Sequence, residues 1–452
     1  MLQGGWDFTL RVAKWLSRRL KGTQSSVAET LPIGARSKLV APARTRVAEP
    51  AAAISTAWQQ HFSNVFGFAE WTESVLGSEP VDICIVHDSF ALEAARLLKK
   101  KTGCALVFDA VEYPDYTGRF GRMAEAFSRE ESGHALVLAH EQLIHEMVDV
   151  LIVGTRGVQE WFAANKKLPP ATIVRNCLDF EVMHPDDRIR NACGLSPDDR
   201  LVLLPNSVHM SSYIVETFEA LRYLPANVHL ATMGNTPKPV RNELETKLAA
   251  WGVAHRVHFL PLRSPADLLQ YRSGADISVI PLDPEIPVYR SALPNRVFES
   301  IMSRHPLAIS NLPFIREVVE QFSIGGVFET SAPQAIAETI RAILDRLPEH
   351  KKNVETAAKT LCWKNERDVF INAMRPVLPE ERPRRVVCIA NKRLTTNRRV
   401  FRHTRTLAEL GHEVRVLSLF APLDVLKDDR VRYDAMQSND RLASLLGAPG
   451  DA

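Results

Sequence analysis

The stretch Tyr289-Arg-Ser-Ala-Leu-Pro-Asn-Arg-Val-Phe-Glu299 holds the residue types best suited to chemistry in this chain. Pro294 suits the first turn of a helix, where its fixed φ helps and its missing N–H costs nothing. The backbone N–H groups of such a turn form a site for an anion such as a diphosphate. Arg290 and Arg296 stand close by as counter-charges, and Ser291 and Asn295 flank the turn. Glu299, further along the same helix, can accept hydrogen bonds from a ribose diol. The plain alternative is a helix start that binds nothing. A second group sits where strands end: His87 and Asp88 follow the apolar run Val81 to Val86, and Glu112 follows the run ending at Phe108. Strand ends that face a cleft are places for proton transfer or substrate contact, although a His-Asp pair there is also an ordinary turn.

The elements that must position these residues alternate regularly. Val81 to Val86 predicts a strand, Phe90 to Lys101 a helix, Ala105 to Phe108 a strand, Ala135 to Met147 a long helix, and Val150 to Val153 and Ala171 to Val174 further strands. After the polar stretch 186–200 the alternation restarts. Strands are expected at Leu201–Leu204, Val228–Met233, Val257–Leu260, Asp276–Ile280 and Leu307–Ser310, with helices at 215–224, 243–251, 266–273 and 295–303 between them. Continuous apolar runs of this length are the signature of buried parallel strands. The expected fold class is therefore α/β, two Rossmann-like domains facing a cleft. A helical or linker segment covers 1–55, the first domain 56–185 and the second 186–378. Residues 383–452 add a partial Rossmann-like unit: strand 384–390, helix 397–410, strand 411–417.

A chain of 452 residues is long enough for two or three such domains, and its net charge of only +3 gives no reason to expect a nucleic-acid partner. The six cysteines, Cys84, Cys104, Cys177, Cys193, Cys362 and Cys388, are scattered without a C-x-x-C pair, which argues against a zinc site or disulfide framework and for a reducing cytoplasm. No run reaches the roughly 18 to 20 apolar residues of a membrane span. Residues 6–21 put Trp6, Leu10, Ala13, Leu16 and Leu20 at helical spacing, with Arg11, Lys14, Arg18 and Lys21 on another face. Such a helix can lie peripherally on an anionic inner-membrane surface. A surface helix docked on the domain is the alternative.

The run Leu293-Pro-Asn-Arg-Val-Phe-Glu-Ser-Ile-Met-Ser-Arg-His-Pro-Leu-Ala-Ile-Ser310 resembles the donor-site segment of family 4 glycosyltransferases, roughly L-P-N-K-x-F-E-x-x-x-x-G-x-P-x-x-x-S. Pieces at 82–88, 107–115, 149–155, 173–176 and 274–281, and Trp363 in a closing helix, resemble the same family in the same order. The resemblance implies a GT-B fold and transfer of a sugar from a nucleotide-sugar donor to a glycan or lipid-linked acceptor. It also implies retention of configuration, no metal and no cofactor beyond the donor. It gives the ribose to Glu299 and the diphosphate to Arg290, Arg296 and the first helical turn, with Asn295 among the donor-binding residues. The Gly234 turn would line the cleft, and the base would lie against Leu260 to Leu262.

The departures point to a second reading. Ser291 stands where the family often has the first of two glutamates, and Val111 where many members place an acceptor-side histidine. The loop 204–212 also lacks the usual phosphate-binding glycine and basic residue. A catalytically degenerate GT-B partner or scaffold, or another GT-B enzyme such as a sugar-nucleotide epimerase, remains open beside the transferase. Residues 391–400 and 411–416 resemble the family's N-terminal opening. They either begin a second module or fold back to supply the first β-α-β of a permuted domain, which would put Asn397 and Arg398 near the diphosphate.

Overall fold

The computed structural model describes residues 63–87, 91–110, 144–163, 168–205, 208, 210–211, 213–234, 236–378, 382–390, 398–419 and 427–436. The expected amphipathic helix at 6–21, the segment 1–55, and Asp88, Val111, Glu112 and Asn397 lie outside these. Helix α1 (Ser63–Leu76) leads into β1 (Ile83–His87), α2 (Leu92–Thr102), β2 (Ala105–Ala110), β3 (Val150–Val153), α3 (Arg156–Ala163) and β4 (Ala171–Ile173). The second alternation comprises β5 (Arg200–Leu204), α4 (Ile214–Glu219), β6 (Val228–Met233), α5 (Lys238–Ala250), β7 (Val257–Leu260), α6 (Leu268–Arg272) and β8 (Ile277–Ile280). It continues through α7 (Pro287–Ser291), α8 (Asn295–Met302), β9 (Leu307–Ser310), α9 (Pro313–Phe322) and β10 (Gly325–Phe328). Helices α10 (Pro333–Asp345), α11 (Leu347–Thr360) and α12 (Trp363–Met374) precede β11 (Arg385–Ala390), α13 (Arg398–Glu409), β12 (Glu413–Ser418) and β13 (Val431–Ala435).

Local chemistry sets many of these boundaries. The strands β1, β3 and β8 are buried at every residue, as apolar runs in a sheet covered on both faces must be. Helix α2 ends on Gly103 at φ 71°, a left-handed cap that glycine adopts without Cβ strain, with Lys99, Lys100 and Lys101 in the last turn facing the negative end of the helix dipole. Prolines in the opening turns of α5, α9, α10 and α11 start helices without losing an internal hydrogen bond. Pro294 sits one residue earlier than the sequence implies. It is the cap before α8, at φ −70° and ψ 150°, and Asn295 begins the helix.

Both sheets are parallel throughout. The six-stranded sheet runs β10-β9-β8-β5-β6-β7 and the seven-stranded one β13-β12-β11-β1-β2-β3-β4. Of the two readings of 383–452, a second module's start or a fold-back onto the first domain, the pairing is that of the fold-back: β11 lies on β1 in register Ile83 with Val386 through His87 with Ala390, so the C-terminal strands complete the first sheet. Counted from β11, the spatial order of that sheet is 3-2-1-4-5-6-7, and counted from β5 the other is 3-2-1-4-5-6. Each is the Rossmann order, and the first is reached by circular permutation. Core packing agrees, since Met436 after β13 is buried in one cluster with Phe68 and Leu76 of α1. Helix α1 thus packs where a crossover from β13 to β1 would lie in an unpermuted order.

Helix α12 crosses back. Trp363 and Phe370 are buried with Ile83, Val107 and Val386 of the first sheet, and the Trp363 N–H donates to the Leu178 carbonyl at 2.6 Å. All six cysteines are buried and free. Among the described residues, no helix is long and apolar enough to cross a membrane.

Candidate functional site

In a doubly wound sheet the crevice opens at the carboxyl ends of the strands where the order reverses. In the six-stranded sheet that point lies between β5 and β8, and the chain leaving β8 forms α7 and α8. The Glu299 side chain, about one fifth exposed, accepts from Arg272 Nη1 at 2.9 Å. Arg272 is itself buried, and its carbonyl lies 2.9 Å from His305 Nε2. A carbonyl only accepts, so Nε2 carries the ring proton, and Nδ1 accepts from the Ser278 hydroxyl at 2.8 Å. Glu299 therefore projects from a helix braced by buried polar groups. Arg290 is turned to its own loop, donating to the Pro284 carbonyl at 2.6 Å and lying 3.4 Å from Glu285. Arg296 is half-buried. The Ser291 carbonyl accepts from Thr155 Oγ1 at 2.6 Å, which ties the start of α3 to the end of α7. Gly157 makes that approach possible: a Cβ there would stand 2.4 Å from Phe314 Cε2 and 2.9 Å from Ser291 Cα. Gly234 follows the end of β6, its N–H donating to the Leu260 carbonyl, while Leu262 is 68% exposed.

In the seven-stranded sheet the reversal falls between β11 and β1, where His87 is the last residue of its strand. Asp109 lies opposite it in the β1–β2 register, and His87 Nδ1 is 2.8 Å from Asp109 Oδ2. Arg399 on α13 grips the same carboxylate with a fork, Nε to Oδ2 at 2.7 Å and Nη2 to Oδ1 at 2.6 Å. Its Nη1 donates to the Val174 carbonyl at 2.5 Å. One turn on, His403 Nδ1 is 3.4 Å from Asp109 Oδ2, its ring stacked on Phe370 with centroids 4.1 Å apart. Asp109, Arg399 and His403 are fully buried and His87 nearly so. Burial pushes the Asp109 carboxyl up, but Arg399 and then the two imidazoles outweigh it and hold it well below the usual carboxylate range. Burial drives His403 well below the ordinary imidazole range. The ligand atoms of His87, Asp109 and His403 are close enough to one another to hold a metal ion. The guanidinium of Arg399 already supplies the positive charge that a cation would bring.

Residues 205–346 match the glycosyl transferases group 1 family, a span that includes the whole α8 segment and Glu299. That span, under a third of the chain, is similar to a group 1 glycosyltransferase domain. A curated relative, D-inositol 3-phosphate glycosyltransferase of Mycobacterium ulcerans (strain Agy99), is 26% identical over 251 residues, 52% of each chain. The present chain thus spans about half the length of that relative. Among solved structures, sucrose-phosphate synthase from Thermosynechococcus elongatus is similar with a TM-score of 0.56, 16% identity and coverage of 69% and 77% of the two chains. Anabaena Alr3699/HepE in complex with UDP is similar with a TM-score of 0.56, 15% identity and coverage of 68% and 82%. At such identities the likeness concerns the fold, and that fold is GT-B.

The group 1 segment explains its own pattern at one point. Arg304, where the quoted family pattern has glycine, sits at φ 65°, a left-handed position that costs a side chain roughly 1–2 kcal/mol. Its guanidinium offsets this by donating to the Met302 and Glu181 carbonyls at 2.5 and 2.7 Å. Sequence reading singled out His87 but missed its partners Asp109, Arg399 and His403. The spacing of Arg399 and His403, i and i+4 on α13, was the available signal. A helix so rich in arginine reads as solvated, which hid the fact that one face is the core of the first sheet.

Among the described residues, the imidazoles that burial pushes down furthest are His145, to about 4, His305, to about 3, and His403. A histidine whose folded pKa lies below its unfolded value contributes stability that is present above about pH 6.5 and lost as pH falls, because only the unfolded chain takes up the proton. Urea denaturation is expected to give a stability about 4 kcal/mol lower at pH 5.5 than at pH 7.5. An unchanged midpoint would mean that these rings are charged in the native state.

Proposed function

We propose that the chain transfers a glycosyl group from a nucleotide-sugar donor to a glycan or lipid-linked acceptor, with retention of configuration and without a metal. The observation that carries this reading is the position of α8 in the family-matched segment. Its N-terminus and Glu299 stand beside the reversal point of one Rossmann sheet, in contact through Asn295 with Asn176 on the segment leaving the other. Glu299 is assigned to the ribose diol, the first turn of α8 with Asn295 and Arg296 to the diphosphate, and the exposed Leu262 to a face of the base. The carboxylate of Glu299 is paired with Arg272 through one oxygen, and ribose hydroxyls would add to that pair. His87, held by Asp109, is assigned to the acceptor side. The UDP bound by the similar HepE supports a uridine nucleotide as the first donor to test.

Thermal-shift and calorimetric titration of UDP-, GDP- and ADP-sugars against the wild-type chain tests this. One donor should raise the melting temperature. Glu299→Ala should weaken its binding about 10- to 100-fold, the loss of hydrogen bonds to a charged group. Absence of a shift with every donor would overturn the transferase reading in favour of a degenerate partner. Unchanged affinity in Glu299→Ala would move the ribose elsewhere.

A further inference from the structure

Helix α13 has a second basic face at i, i+4 and i+7, and each of its arginines reaches away from the first sheet. Arg398 Nη2 donates to the Pro265 carbonyl at 2.7 Å, Arg402 Nη2 to Asn176 Oδ1, and Arg405 pairs with Asp179 at 2.8 Å. Asn176 Nδ2 in turn donates to Asn295 Oδ1 at the start of α8. Arg402 and Asn176 are buried, 5% and 8% exposed, while Asn295 is exposed.

The orientation of these two amides follows from chemistry alone. A guanidinium has donors and no acceptor, so Asn176 must turn its oxygen toward Arg402. Its NH2 group then faces Asn295, which must answer with its own oxygen. The NH2 group of Asn295 is left pointing outward beside the first turn of α8, where the helix dipole already favours an anion. We propose that Arg402, acting through Asn176, is a positioning residue that fixes Asn295 as a hydrogen-bond donor to the donor substrate's diphosphate. The inference rests on the nucleotide-sugar reading above and goes beyond it. It gives the C-terminal segment, remote in sequence from α8, control over the polarity of the phosphate subsite. Burial lowers Arg402 only to about 10, so it stays a donor at neutral pH.

Asn176→Asp separates this role from a structural one. Aspartate keeps the pairing with Arg402 but cannot donate to Asn295, whose amide then turns over and presents its oxygen to the ligand. UDP, GDP and ADP, each with its parent nucleoside, would be titrated calorimetrically into the full-length wild type. The diphosphate that binds would then be used with the variants. Asn176→Asp and Arg402→Met should bind it about 10- to 100-fold more weakly, with nucleoside affinity unchanged, and Arg402→Lys, which still only donates, should restore most of the loss. Asn295→Asp, an exposed change that keeps its bond from Asn176, should show the same selective loss in a chain of native melting temperature. Equal loss of nucleoside and diphosphate, or native diphosphate affinity in Asn176→Asp, overturns the relay while leaving the donor site standing. Binding of none of the three diphosphates by the wild type overturns the nucleotide-sugar reading and the relay with it.

Discussion

A chain ending at Leu378 is expected not to fold, whereas the same residues rearranged, with 383–452 joined through a flexible linker to residue 56 and the new end at 378, are expected to fold and keep the donor affinity of the native order. Truncation removes β11, β12, β13 and α13, and leaves β1, buried at every position, as an unprotected edge. Thirteen buried apolar residues from Val386 to Met436 go with them. At roughly 1.5–3 kcal/mol for each large side chain, their loss exceeds the ~5–15 kcal/mol margin of a whole domain. The rearranged chain restores every pairing in the order of an uninterrupted Rossmann sheet, and the shared burial of Met436 and Phe68 means the linker need not span far. Circular dichroism and melting temperature decide the matter. Native-like melting of the truncated chain would show that 384–436 is dispensable to the first sheet, and failure of the rearranged chain with several linker lengths would argue against a simple permutation.

Arg399→Met is expected to destabilise the chain by about 3–5 kcal/mol, because it strands the Asp109 carboxylate in the core. Both partners are fully buried, and the fork accounts for both carboxylate oxygens. Of the groups left around it, the neutral imidazole of His403 can answer only by taking a proton. The variant should therefore recover part of its deficit relative to wild type as pH is lowered from 7.5 to 6. Adding Asp109→Leu to Arg399→Met should restore stability at neutral pH, since a buried ion pair replaced by apolar groups of similar volume is often neutral or stabilising. Denaturant midpoints of the single and double variants measure this. A double variant no better than Arg399→Met would mean that Asp109 is required by His87 and His403 rather than paired for charge balance.

Much of the fold was legible because the signal was local. Runs such as Val150 to Val153 and Leu307 to Ser310 declare buried parallel strands by composition alone, and their alternation with helices fixes the layered class. The short strands at 325–328 and 431–435 were not anticipated: Gly325 and Gly326 dilute the first, and Arg432 and Asp434 break the apolar run of the second. Of the candidate site, α8 and Glu299 were readable as a motif, and His87 as a strand end.

The sequence by itself determined the α/β alternation, the start of α8 beside Pro294, and the presence of spare strands at 384–417. It could not say which sheet those strands join, because strand pairing is a choice among distant partners settled by the summed burial of many side chains. Only the tertiary structure decided that β11 lies against β1. With that, it gave Asp109 a cation from a helix 290 residues away and set the outward face of Asn295 through Arg402. A carboxylate in a strand and an arginine on a helix carry no mark of each other in one dimension. The cost of burying either alone makes them partners once the sheet has closed.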